Sequence, residues 1–168
     1  MGPDDIEILN RNRAYDGYVK IDKFRLRHRR FEGDWTDAFD RELVERGHAA
    51  AVLPYDPVRD EVVLIEQFRI GAHAGGHEPW QIEIVAGIIE SGEKAEDVAR
   101  REAVEESGCG IGELIAICEA LASPVIMTET IAIYCGRVDA TTAGGVHGIA
   151  AEHEDIRAFS VAAEKALT

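Results

Sequence analysis

One stretch constrains this chain more than any other. Residues 93–107 carry its one long helical pattern, and Gly108 follows as a residue able to end a helix in the left-handed conformation. On a wheel of about 100° per residue with Glu102 as origin, Ala95, Val98 and Ala99 fall within about 60° of it, and so do Glu105 and Glu106. Glu96, Asp97 and Arg100 occupy the opposite side. The stripe expected to face inward is therefore apolar for two turns and then acidic. Three bare carboxylates at low dielectric repel one another, and they either take up protons or cost stability.

Two readings of that stripe stand side by side. One is a solvated helix laced by pairs such as Arg101–Glu105 and Glu96–Arg100. The other is an inward acidic cluster whose charge a divalent cation offsets, and clustered carboxylate oxygens suit Mg²⁺ or Mn²⁺.

Around the helix the chain reads as strands. Residues 19–31 alternate apolar and charged side chains, Glu32-Gly33-Asp34 is a turn, and a second strand runs over 35–44. This N-terminal hairpin is too small to stand alone. Further strands are expected at 48–53, 61–69, 80–86, 114–121, 130–138 and 156–160. Residues 71–79 read as a loop, 140–154 as a long polar loop, and 161–167 as the start of a helix. Strands on both sides of one central helix predict an α/β layered domain with a mixed sheet. At 168 residues, one domain with a small appendage fits.

Charge and composition narrow the function. Lys plus Arg number 18 against 32 Asp plus Glu, a net charge of −14. That balance argues against binding nucleic acid, whose affinity comes mostly from phosphate neutralisation. The basic run from Lys20 to Arg30 reads instead as a solvated or partner-facing strand. No apolar run approaches the ~20 residues of a membrane span, and the first residues lack a secretory pattern. Cys109, Cys118 and Cys135 are odd in number, form no CxxC and sit among apolar residues. Buried free thiols in a reducing, cytoplasmic setting are expected.

The segment from Gly87 to Cys109 resembles the Nudix box, G-x5-E-x7-R-E-U-x-E-E-x-G-U, where U is a bulky aliphatic residue. All seven fixed letters match: Gly87, Glu93, Arg101, Glu102, Glu105, Glu106 and Gly108. Ala103 and Cys109 stand at the U positions, small and apolar. Gly87 and Gly92 are expected to let the loop turn sharply before the helix. The resemblance implies a Nudix-type α/β/α sandwich with a mixed β-sheet, plus a small N-terminal antiparallel β-sheet. It assigns residues 1–46 to an N-terminal dimerisation sheet and 47–168 to the hydrolase domain.

The likeness runs from about Tyr18 to Ala158 and is nearest to the bacterial ADP-ribose pyrophosphatases of the family. It includes Glu45-Arg46-Gly47-His48, Asp56 to Gln67, Leu121-Ala122-Ser123-Pro124 and Glu152 to Arg157, with Pro124 16 positions after Gly108. It implies hydrolysis of ADP-ribose to AMP and ribose 5-phosphate with two or three Mg²⁺ ions, for which Mn²⁺ can substitute. Glu102, Glu106, the Ala86 carbonyl and Glu154 would hold the metal. Arg101 would orient a carboxylate, Glu105 would support, Glu93 would be structural, and Glu152 would be the general base. Arg69, Ser123, Pro124 and Glu129 would meet the substrate. Tyr18, Arg41 and Glu42 would reach the neighbouring subunit's site, so a homodimer with exchanged N-terminal sheets is implied. Relatives usually carry Gly-Gly where this chain has Val125-Ile126. That departure leaves another nucleoside-diphosphate sugar, such as GDP-mannose or ADP-glucose, as the alternative substrate. A non-catalytic ADP-ribose sensor is a rival from another class, although such domains typically lose box acids that this chain keeps.

Overall fold

The computed structural model describes residues 1–167, with Glu152 described by its backbone alone. The chain divides into two compact units: residues 1–48 with 121–130, and residues 49–120 with 131–168.

The first unit is built on a three-stranded antiparallel sheet of β1 (Ile6–Asp16), β2 (Lys20–His28) and β3 (Phe39–Glu45), in that order. The alternating pattern reveals β2 but not β1. Strand β1 runs from Ile6, Ile8 and Leu9 into Asn-Arg-Asn-Arg with no clean period of two, and its register shifts twice against β2. Asp22 pins it. That carboxylate is 1% exposed and accepts from Arg11 Nε at 2.8 Å and from the Arg13 guanidinium, while both arginines also reach Glu45. Strand β3 starts at Phe39 rather than near residue 35. Trp35 makes only a single bridge, to Arg29, and lies beneath the Arg27 and Arg29 guanidinium groups. The 121–130 segment docks on β3, the Val44 amide donating to the Ile126 carbonyl at 2.8 Å.

The hydrogen bonds from Arg13 and Arg11 hold the Asp22 carboxyl below the usual carboxylate range. A depressed folded value adds stability above the ordinary carboxylate range, and that stability is lost as pH falls through the folded value. Asp22→Asn should therefore melt below wild type at pH 7 in a thermal scan. The gap should close in acid, where the wild-type carboxyl is protonated too.

The second unit is a mixed eight-stranded sheet. Its strands are β4 (Ala49–Asp56), β5 (Glu61–Phe68), β6 (Trp80–Glu83), β7 (Val85–Ile88), β8 (Leu114–Leu121), β9 (Thr130–Arg137), β10 (Gly145–His147) and β11 (Ile156–Ala162). The order is β10-β11-β5-β4-β9-β8, with β6 paired to β5 and β7 to β4. Strands β4 and β9 run parallel; the other registered pairs are antiparallel. Helix α2 (Ala95–Ser107) is the long one, flanked in sequence by the short α1 (Ile70–Ala74) and α3 (Ala163–Ala166). The core joins Val98, Ala99 and Ala103 of α2 to Ala50, Val52, Ile65, Val85, Ile156 and Ala158 of the sheet. This is the α/β arrangement with a mixed sheet that the sequence pattern predicts, together with the small antiparallel sheet that the family resemblance implies. Helix α1 and strand β10 lie inside segments read as loops, because both are too short to show a period.

Cys109 is buried, but Cys135 is only partly so and Cys118 is exposed. The expectation of three buried thiols is corrected for Cys118, which stands on β8 at the end of the sheet order. No helix among the described residues is long and apolar enough to cross a membrane.

Candidate active site

Helix α2 grades its acids rather than burying all three alike. Val98, Ala99, Ala103, Glu106 and Ser107 are the buried residues, so the inward direction lies about 60° from Glu102, toward Glu106. Glu106 is 4% exposed. Glu102 keeps 14% of its side chain in solvent and Glu105 keeps 34%. The expected trio on one inward face is corrected to a buried Glu106, a lining Glu102 and a rim Glu105. The apolar anchors Val98, Ala99 and Ala103 set the helix rotation.

Strand β7 supplies the opposing wall. The Ala86 amide donates to Glu106 Oε2 at 3.2 Å. Burial pushes the Glu106 carboxyl up to about 8, and Glu102 and Glu154 add to the rise against the Ala86 amide and Arg69. A Cβ on Gly87 would overlap the Glu102 carboxylate. Gly87 lies within β7, opposite Ala50, and is required by this close approach, which corrects its expected role in a turn. Gly92 does take the turn, at φ 91°. Burial also raises Glu102, countered by Arg101.

Arg101 gathers the outer acids. Its Nη1 donates to Glu102 Oε1 at 2.8 Å and to Glu105 Oε2 at 2.9 Å, and its Nε lies 3.6 Å from Glu93 Oε1. Glu93 in turn accepts from the Glu90 amide at 2.9 Å, closing the loop before the helix. The Arg101–Glu105 pair of the solvated-helix reading is thus present, but on the rim of the acidic face and not in place of it. Gly108, at φ 72°, caps the helix: its amide donates to Val104 and the Cys109 amide to Ala103.

Two further elements bring charge to this wall. Glu154 accepts from the Ile149 amide at 2.9 Å, and its charge acts on Glu102 and Glu106. Glu152, expected as the base, has its side chain outside the described residues; its backbone closes the turn Ala150–Glu152. Arg69 stands just before α1 as its N-cap residue, and its guanidinium pairs with Glu83, Nη2 to Oε2 at 2.8 Å. Sequence reasoning missed Glu83. The two lie 14 residues apart, and only the β5–β6 register brings them together.

The remaining predicted contacts belong to the first unit. Tyr18 is 86% exposed, and Arg41 and Glu42 are exposed on β3. Arg41 stacks over Phe39 at 4.4 Å. Arg41, Glu42, Lys23, Asp40, Val125 and Ile126 line one cavity. Ser123 and Pro124 open a turn in which the Ile126 and Met127 amides donate to the Ser123 carbonyl. Glu129 is buried and paired to Arg46 at 3.3 Å.

The donors fit a hard divalent cation. Glu106 and Glu102 are carboxylates pressed against one strand, and burial raises both, which a bound cation would offset. Among the described residues no three His, Cys, Asp or Glu side chains converge as a complete ligand set. A cation held by Glu102 and Glu106 would need further oxygen ligands from backbone or water, as hard divalent cations ordinarily take.

The NUDIX domain model matches residues 45–167, and the chain belongs to that family. Nudix hydrolases generally act with divalent metal ions. The chain is 52% identical over 166 residues to a protein of Escherichia coli (strain K12) named ADP-ribose pyrophosphatase, covering 99% of this chain and 79% of that relative. It is 42% identical to a protein of the same name from Haemophilus influenzae, over 96% of this chain and 76% of the relative. A GDP-mannose pyrophosphatase of Salmonella arizonae is 37% identical over 132 residues, 76% of this chain and 66% of the relative. A crystal structure titled as an ADP compounds hydrolase superposes with a TM-score of 0.73 at 18% identity, over 97% of this chain and 81% of that one, and so shares the fold.

Proposed function

We propose that this chain is a Mg²⁺-dependent ADP-ribose pyrophosphatase. Water attacks one phosphorus of the diphosphate, the P–O bond to the bridging oxygen breaks, and AMP and ribose 5-phosphate leave. The observation that carries the chemistry is Glu102 and Glu106 pressed against Ala86 and Gly87, two acids that burial raises despite Arg101 and Arg69. The relatives named ADP-ribose pyrophosphatase support the substrate.

Glu102, Glu106 and the Ala86 carbonyl, with Glu154, would hold two or three ions. Bound metal would neutralise diphosphate charge and lower the pKa of a bound water. Arg101 keeps Glu102 and Glu105 in place through its paired bonds. Arg69 binds the diphosphate. Glu152 takes the proton of the attacking water, a role worth about 10²–10⁴ in rate. Ser123, Pro124 and Glu129 shape the sugar and diphosphate side. The N-terminal sheet, residues 1–46, is the dimerisation region. Tyr18, Arg41 and Glu42 of one copy complete the site of the other. A cytoplasmic setting belongs to the same reading, since all three cysteines are free.

One hydrolysis panel tests the substrate: ADP-ribose, ADP-glucose, GDP-mannose and a dinucleoside polyphosphate, each with Mg²⁺. ADP-ribose should lead in kcat/KM by at least about tenfold, which corresponds to about 1.4 kcal/mol of differential transition-state binding. Equal turnover of all four would defeat the specificity, and binding without turnover would favour the sensor. GDP-mannose is the second reading, favoured by the Salmonella relative and by Val125, 90% exposed at a position where the family resemblance leads to an expectation of glycine.

A further inference from the structure

Arg69 is held unusually firmly for a half-exposed arginine. Its amide donates to the Pro79 carbonyl at 2.8 Å, and its carbonyl accepts from the His73 amide at 3.2 Å. Its side chain meets Glu83 edge-on: Nε lies 3.1 Å from Oε1 and 3.0 Å from Oε2, and Nη2 lies 2.8 Å from Oε2. Glu83 is itself steadied by Gln67, whose Nε2 donates to Oε2 at 3.4 Å. The pairing follows from strand register. Ile65 lies opposite Glu83 and Gln67 opposite Gln81, so Ile65, Gln67 and Arg69 alternate onto the face that Glu83 shares. Ile65 is buried in the cluster with Val98, Ala99 and Ala103, which makes this the face covered by α2.

A guanidinium has five N–H donors in a planar fork. Glu83 occupies the Nε–Nη2 edge. Among the described residues nothing accepts from Nη1. Glu106 and Glu154 act on the Arg69 charge, and the strand register sets Arg69 on the same α2-covered face as Ile65. An arginine fixed along one edge loses little rotamer freedom when its other donors meet an anion.

We propose that Glu83 is the positioning residue for Arg69: it clamps one edge of the guanidinium and presents the remaining donors to the substrate's diphosphate. The assignment rests on the diphosphate-hydrolase reading above. A plain cross-strand brace would produce the same ion pair, so the two roles must be separated by coupling and not by loss of stability.

A double-mutant cycle does this with Arg69→Ala, Glu83→Ala and the pair together, scored by KM and kcat for ADP-ribose. Calorimetric binding of a methylene-bridged ADP-ribose analogue supplies a second readout. Each single change should raise KM about tenfold and weaken the analogue in parallel, and the double should be no worse than Arg69→Ala alone. Glu83→Gln, which keeps the reach and one acceptor oxygen, should recover most of the loss. Fully additive effects would overturn the proposal. So would a lower melting temperature with KM and analogue affinity unchanged, or a fall in KM on freeing Arg69. If wild type cleaves no ADP-ribose, the functional reading fails separately. The cycle is then scored on binding of inorganic diphosphate, where the same non-additivity is required.

Discussion

Glu106→Gln is expected to cut turnover by at least about two orders of magnitude, and also to make the chelated protein more resistant to heat at about pH 9. The two effects have one cause. Glu106 is 4% exposed, receives one backbone hydrogen bond and has Glu102 and Glu154 nearby. Its carboxyl titrates at about 8 in the folded chain against an ordinary 4.5. The folded state therefore holds a proton that the unfolded state has released. Stability from this group is full below about 4.5 and is lost as pH rises to about 8. A glutamine fills the same volume, cannot ionise and still accepts from Ala86. In chelator, wild type should lose melting temperature across that window by several degrees more than the variant. Added Mg²⁺ should restore wild type at high pH and raise Glu106→Gln by less. Equal pH slopes in chelator would reject the buried-charge account, and near-wild-type turnover would reject the residue's role. Glu102→Gln should show a comparable loss of turnover, with a weaker pH effect because Arg101 offsets its charge.

The helix and its acids were legible because they are local. Seven letters at fixed spacing, an apolar stripe turning acidic and Gly108 at the end specify α2 without reference to distant residues. What the wheel could not give was rotation. Val98, Ala99 and Ala103 turn the buried face toward Glu106 and put Glu105 on the rim, and only packing against Ile65, Val85 and Ile156 decides that. Gly87 was legible as a required glycine but not for the right reason, since its need comes from Glu102 crossing over it. Strand β1 escaped because charged Arg11 and Arg13 occupy it, and their reason, buried Asp22, lies on the neighbouring strand. Glu83 escaped likewise, because its partner is fixed by register. Nonlocal pairing is what a single sequence hides.

Subunit mixing carries the other large effect. If Arg41 of one copy serves the acidic site of another, two inactive variants should rescue each other. Arg41→Glu would spoil the proposed donated arm, and Glu102→Gln the proposed metal-holding wall. Arg41 suits the experiment because its side chain is exposed, stacks on Phe39 and, among the described residues, donates only to the Asp40 carbonyl, so reversing its charge leaves the sheet's interior ion pairs intact. In a mixed dimer one site receives both defects and the other receives neither. Random exchange makes about half the dimers mixed, each with one intact site of two. Activity should therefore climb from near zero in either pure variant to about a quarter of wild type. Mixing should proceed through a brief low-denaturant step that lets subunits exchange, with dimer mass checked by light scattering. A mixture no more active than its parents, from proteins that scatter as dimers and exchange, would mean that each copy completes its own site. In that case the exposed Arg41 and Tyr18 have no part in a neighbour's chemistry.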